Sequence, residues 1–161
     1  MVKEQIKDIP LLGYNITLND DPEYSGVGLT IFVAGCPHKC TNCSNPESWN
    51  PSNGTMTSMV QIEEKIKESL KLIRYVCFCG GEFLLYKEQL MYLSKYVKQY
   101  NLKTILYTGY LFEEIDKSII THCDIIVDGK YDCEKQQIGF PASSNQRVFS
   151  NGIQLTNLNK N

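Results

Sequence analysis

No apolar run in this sequence approaches the roughly 18 residues that a membrane span needs. Neither charge sign is in excess. Sixteen Lys and Arg stand against 18 Asp and Glu, a formal net of −2, which gives no electrostatic case for a nucleic acid or an anionic membrane as partner. The stretch Met1-Val2-Lys3-Glu4-Gln5-Ile6-Lys7-Asp8 is too charged for a signal peptide, so the expected location is the cytoplasm. Histidine is scarce, and neither a His-x3-His pair nor a second Cys-x2-Cys pair occurs. A structural zinc site therefore lacks its usual second half. There is no internal repeat, low-complexity tract or obvious linker, so the 161 residues are read as a single domain, 1–161.

What the chain does have is cysteine. It carries seven, an odd number concentrated in one place, which is unlike a secreted disulfide framework and more like a metal-holding cluster in a reducing compartment. The concentration is Gly35-Cys36-Pro37-His38-Lys39-Cys40-Thr41-Asn42-Cys43, with the spacing Cys-x3-Cys-x2-Cys. Thiolates bind soft metals, and two or three intervening residues let one loop wrap its sulfurs around a common centre. Cys77 and Cys79 share one face of an extended strand and make a poor zinc pair. His38, two residues from Cys36, is badly placed for the same metal. An iron–sulfur cubane held by three thiolates, with one iron left open, fits the triplet better than zinc or free redox thiols. Cys77, Cys79, Cys123 and Cys133 read as ordinary packed thiols. His38 and Lys39 read as solvating the loop, and Trp49 as a packing anchor.

Strand-like and helix-like patterns alternate along the rest of the chain. Residues 29–34, 75–79, 103–108, 124–127 and 147–149 are short β-branched or apolar runs, read as strands. Met59, Ile62, Ile66 and Leu70 fall at helical spacing behind a capping box made by Ser58 and Gln61. A second helix is expected over about 86–100, with Leu90, Leu93 and Val97 on one face and Tyr92, Tyr96 and Tyr100 on a face offered to a partner. A short helix with Leu111, Phe112, Ile115 and Ile119 follows, and the Asn-rich tail after Gly152 is expected to fray. The alternation predicts an α/β fold with a mostly parallel sheet built from right-handed βαβ units. Its sites should gather at the carboxyl ends of the strands, where Gly35-Cys36, Gly80-Gly81-Glu82, Thr108-Gly109-Tyr110 and Asp128-Gly129-Lys130 stand.

The triplet and the Gly80-Gly81-Glu82 turn resemble those of the radical S-adenosylmethionine enzymes. Asn45-Pro46-Glu47-Ser48-Trp49, Tyr107-Thr108-Gly109-Tyr110, Val127-Asp128-Gly129-Lys130 and Ser143-Ser144-Asn145-Gln146-Arg147 narrow the resemblance. They are similar to segments of the activating proteins of anaerobic ribonucleoside-triphosphate reductase. The resemblance spans about residues 10–152 and implies a partial (β/α) barrel. It implies a [4Fe-4S] cluster on Cys36, Cys40 and Cys43, with S-adenosylmethionine chelating the open iron. Asn42, Cys43, Ser44, Gly80, Gly81 and Glu82 would contact that cofactor, the Glu82 carboxylate pairing with its ammonium. Tyr107, Thr108 and Asp128 complete the implied pocket.

The implied reaction is one-electron cleavage to methionine and a 5′-deoxyadenosyl radical, which takes hydrogen from a glycine Cα of the reductase large subunit. A flavodoxin- or ferredoxin-type protein would supply the electron. Two alternatives stand beside it: radical chemistry on a small molecule, and a zinc-binding module. Two departures mark this chain. Phe83 replaces the proline that often follows such turns, and Glu23-Tyr24-Ser25-Gly26-Val27-Gly28 lacks the arginine of the family's Asp-Gly-Pro-Gly-x-Arg segment.

Overall fold

The computed structural model describes residues 6–158, so Met1–Gln5 of the charged N-terminal stretch lies outside the described residues. Eight strands form one sheet: β1 (Ile9–Thr17), β2 (Gly28–Val33), β3 (Thr55–Thr57), β4 (Tyr75–Gly80), β5 (Lys103–Tyr107), β6 (Ile125–Asp128), β7 (Arg147–Ser150) and β8 (Ile153–Leu155). Three helices alternate with the central strands: α1 (Met59–Ser69), α2 (Lys87–Lys98) and α3 (Lys117–His122). The sheet order is β3-β1-β2-β4-β5-β6-β7-β8. Neighbours from β2 through β6 pair in parallel. Antiparallel strands flank them on both sides. The fold is therefore α/β with an open mixed sheet, parallel only at its centre.

The central strands pack on both faces because both alternating sets of side chains are apolar. Val76 and Phe78 of β4, Leu106 of β5 and Ile126 of β6 join the larger core under the helices. Tyr75 and Cys77 of β4, Ile105 of β5, Ile125 and Val127 of β6 and Val148 of β7 form a smaller core on the opposite face. Helix α1 starts at the expected capping box, with the Ser58 and Gln61 side chains each bonded to the other's backbone N–H. The helix expected over about 86–100 appears as α2 (Lys87–Lys98), preceded by a 3-10 turn at Phe83–Tyr86.

Three expectations change. The tyrosine face of α2 turns inward: Tyr96 is buried, its ring meets that of Tyr100 edge-on, and the Tyr92 hydroxyl donates to Glu63 of α1. The tail after Gly152 starts with β8 (Ile153–Leu155) on the sheet edge, and its last residues, 159–161, lie outside the described residues. Strand β1 was not expected at all; it pairs with β2 around a bulge between Leu11 and Gly13. Among the described residues, no helix is long and apolar enough to cross a membrane.

Candidate active site

The triplet loop leaves the carboxyl end of β2. Its base is fixed by backbone bonds to the 3-10 turn at Pro46–Trp49: Gly35 N–H donates to the Ser48 carbonyl (2.7 Å) and Cys36 N–H to the Trp49 carbonyl (3.1 Å). The Ser48 hydroxyl in turn donates to the Asn45 carbonyl (2.7 Å). This is what Asn45 through Trp49 contribute: Pro46 opens a short turn whose carbonyls hold the start of the cysteine loop. Gly35 has φ +105°, and a Cβ there would stand 2.7 Å from the Tyr86 hydroxyl, which itself donates to the Ala34 carbonyl. Lys39 and Asn42 take left-handed backbone angles, φ 49° and 56°, and so curl the loop between its cysteines.

All three cysteines are free and half-buried. Burial raises the Cys36 thiol, opposed by amide N–H groups of His38 and Lys39 that favour its thiolate; Cys40 is close enough to act on it electrostatically. Asn45 N–H points at the Cys43 sulfur at 3.5 Å. Asn42 and Ser44, on either side of Cys43, are exposed. Among the described residues, no three His, Cys, Asp or Glu side chains converge on a single ion. A cubane places each thiolate on a different iron, so its ligands stand further apart than those of one zinc ion. Half-buried thiols, with amide N–H groups at Cys36 and Cys43, thus fit a [4Fe-4S] cluster.

The ends of β4 and β5 meet this loop, whereas the partners of Asp128 at the end of β6 are Phe112 and Arg147. Gly80 has φ +99°, and a Cβ on Gly81 would lie 2.3 Å from the Gly35 carbonyl oxygen, so only glycine allows the turn after β4 to press against the cysteine loop. Gly81 N–H donates to the Val33 carbonyl (2.7 Å) and Glu82 N–H to the Gly35 carbonyl (2.8 Å).

The Glu82 side chain lies inside the protein. It is 0% exposed, and its carboxylate accepts from Leu84 N–H (3.1 Å), the Thr108 hydroxyl (2.9 Å), Gly109 N–H (2.9 Å) and the His38 ring (2.7 Å). Thr108 is likewise buried, as one of those donors.

Tyr107 points to the opposite face of the sheet, where its hydroxyl donates to the Asp20 carbonyl (2.7 Å). Asp20 accepts in turn from Thr30, and its carboxyl is raised by burial. Cys79, packed on that same small core, is pushed up to about 12 by burial, with Asp20, Glu82 and Cys43 adding to the shift. Cys77 is raised by burial as well, which agrees with both being packed thiols.

Asp128 is buried at the end of β6, where it accepts from Phe112 N–H (2.7 Å) and pairs with Arg147. Arg147 also holds Glu113 (2.7 Å). The Glu113–Arg147–Asp128 set and the His38–Glu82 pair were both missed by sequence reasoning, since their members lie far apart in the chain. In the segment that lacks the family arginine, the buried Asp21 orders the turn by accepting from Glu23 and Ser25 N–H and from Lys103 of β5 (3.0 Å). A cavity of about 330 Å³ beside β7 and β8 is lined by Phe140, Arg147, Val148 and Leu155 among others, and by none of the three cysteines.

Residues 24–149 match the family described as a 4Fe-4S single cluster domain. The anaerobic ribonucleoside-triphosphate reductase-activating protein of Enterobacteria phage T4 is 35% identical over 133 residues, covering 78% of this chain and 85% of the relative. That of Haemophilus influenzae is 32% identical over 117 residues, 66% of this chain and 75% of the relative. The pyruvate formate-lyase-activating enzyme of Clostridium pasteurianum is 31% identical over 135 residues; the match covers 79% of this chain and 52% of that enzyme, about half its length. The chain belongs to this single-cluster family and to its glycyl-radical-activating enzymes, which are radical S-adenosylmethionine enzymes with a [4Fe-4S] cluster and S-adenosylmethionine as cofactors.

Proposed function

We propose that this chain activates an anaerobic ribonucleoside-triphosphate reductase by generating a glycyl radical on its large subunit. The observation that carries the reading is the meeting of the cysteine loop with the glycine turns after β4 and β5 at the carboxyl ends of the central strands. Similarity to the phage T4 activating protein over most of that protein's length supports the choice of partner.

When bound, the cofactors supply one-electron cleavage of a carbon–sulfur bond and the hydrogen abstraction that follows from it. The chain's own residues bind and orient. Cys36, Cys40 and Cys43 hold the cluster. Exposed Asn42 and Ser44 flank Cys43 and would face the cosubstrate, and Gly80 and Gly81, lacking a Cβ, let the turn after β4 close on Val33 and on Gly35 at the base of the cysteine loop. Glu82 and Thr108 fix the turns, Tyr107 backs the site from beneath the sheet, and Asp128 with Arg147 holds the β6 end.

The parallel strands β2, β4, β5 and β6 are read as an arc of a (β/α) barrel within a single domain. A flavodoxin- or ferredoxin-type protein is the proposed electron donor and the cytoplasm the proposed location. Balanced charge supports a partner that is neither nucleic acid nor membrane. The test is electron paramagnetic resonance of the reductase large subunit after anaerobic incubation with this protein, S-adenosylmethionine and a reductant. A glycyl doublet is expected, and its absence while the cluster is intact overturns the reading.

A further inference from the structure

His38 lies between two cluster cysteines, yet it behaves unlike its neighbours. Pro37 and Lys39 are exposed, whereas the His38 side chain is 7% exposed and its ring reaches the Glu82 carboxylate at 2.7 Å. The Tyr110 ring meets it edge-on, with centroids 4.7 Å apart. Glu82 therefore grips the cysteine loop twice, on either side of Cys36: its backbone N–H holds the Gly35 carbonyl, and its carboxylate holds His38. The same carboxylate holds the Thr108 hydroxyl and Gly109 N–H at the end of β5.

The loop does not need this tie to fold back on itself. Its base is already set by the bonds from Gly35 and Cys36 to the Pro46–Trp49 turn. What His38 adds is a link between the Cys36–Cys40 half of the loop and the turns on the far side of the site.

Gly109 records the same link. A Cβ there would stand 2.4 Å from the His38 ring, and its three nearest atoms all belong to that ring. Its backbone φ lies outside the range that only glycine tolerates, so the ring alone excludes a side chain.

We propose that His38 is a positioning residue that sets the cluster loop against the cosubstrate-binding turns through Glu82, and that Gly109 is glycine to admit its ring. This rests on the proposed reading of the site as a cluster with S-adenosylmethionine beside it. Its consequence is a division of labour: the thiolates retain the cluster, and His38 aligns it for the cosubstrate.

The test uses the anaerobically reconstituted full chain, with two readouts besides activity. One is iron and sulfide content. The other is the change in the electron paramagnetic resonance signal of the reduced cluster as S-adenosylmethionine is titrated. Both are established on the wild type, so failure of the functional reading appears there, while failure of the His38 assignment appears only in the variants.

His38→Ala is expected to keep wild-type iron and sulfide and to bind S-adenosylmethionine about tenfold more weakly, the effect of losing one hydrogen bond to a charged group. His38→Gln, whose amide can still donate to Glu82, is expected to restore most of that affinity. Gly109→Ala, which displaces the ring while removing no side chain, should weaken binding in the wild-type background and add nothing in the His38→Ala background. Unchanged affinity in His38→Ala, failure of His38→Gln to recover it, or an equal effect of Gly109→Ala in both backgrounds overturns the proposal. If His38→Ala loads no cluster, the same cycle read on apoprotein melting temperature decides: a Gly109→Ala cost that vanishes without the ring supports the proposal, and one that persists overturns it.

Discussion

Substituting alanine at Gly81 tests whether the cysteine loop and the β4 turn are held in direct backbone contact. The new Cβ would stand 2.3 Å from the Gly35 carbonyl oxygen, 2.9 Å from its carbon and 3.0 Å from the Ser48 carbonyl oxygen. All three are backbone atoms, so no flexible side chain can swing aside. Gly81 has no positive φ, and the penalty is purely steric. Restoring an ordinary contact near 3.4 Å requires the loop to retreat by about 1 Å. That retreat strains two bonds that lock the loop, Glu82 N–H to Gly35 and Gly35 N–H to Ser48. Overpacking costs about 1–3 kcal/mol, and each weakened bond about 1 kcal/mol more. A total of about 3–5 kcal/mol lowers the melting temperature of a domain this size by about 10 °C. Thermal unfolding of the apoprotein by circular dichroism, under reducing anaerobic conditions, reads the stability. Iron content after reconstitution reads the loop and is expected to fall. A Gly81→Ala variant that melts within about 2 °C of wild type and fills with iron normally refutes the argument.

Alanine at Cys36, Cys40 or Cys43 should each abolish cluster uptake measured as iron and sulfide, whereas Cys77→Ala, in the small core, should keep the cluster and lose about 1 kcal/mol in a denaturant melt; iron loss in Cys77→Ala counts against the ligand assignment. Burial pushes the Asp21 carboxyl up, but bonds from Ser25, Glu23 and Lys103 outweigh it and hold it below its usual 3.8. Its stabilising contribution is therefore complete above about pH 4 and is lost as pH falls through the lower folded value, so Asp21→Asn should cost about 2 kcal/mol at pH 7 and flatten the acid limb of stability against pH, with an unchanged limb as the contrary result. Arg147→Gln leaves buried Asp128 without its cation and should cost about 2–3 kcal/mol by urea denaturation. Glu113→Gln removes only the exposed partner and should change stability little, and equal losses for the two would contradict this split.

Much of the fold was legible because its signals are local. The runs read as strands at 75–79 and 147–149 appear as β4 and β7 with a one-residue extension, and the Ser58–Gln61 box starts α1 as expected. Strand β1 escaped notice because Pro10 near its start and the bulge before Gly13 break the alternation that marks a strand. β3 and β8 are three residues long, too short for any period, and exist through pairing with longer neighbours. The mixed character of the sheet follows from these three strands together with β7, which pairs antiparallel to β6. In the site, the cysteine spacing and the glycine turns were readable because each is a local motif. The partners of Glu82 and Asp128 were not: His38 is 44 residues from Glu82, and Arg147 is 19 from Asp128. Only strand register brings such pairs together.

The surroundings of Glu82 sharpen the chemistry. A carboxylate offers about four lone-pair positions. Here Leu84, Thr108, Gly109 and His38 supply a donor to each, from the turn after β4, the end of β5 and the cysteine loop. With no exposed surface, the group has its acceptor positions taken within the protein. A charge this deeply placed is tolerated because it is fully bonded, and a fully bonded charge is rigid. The sequence Gly80-Gly81-Glu82 thus combines two physical tasks in adjacent residues. The glycines let the turn close against β2 and the cysteine loop, and the carboxylate beside them ties together the three chain segments that meet there. On the proposed reading of the site, the cosubstrate would then meet main-chain groups whose positions that carboxylate sets, while the one charged member of the three residues faces inward.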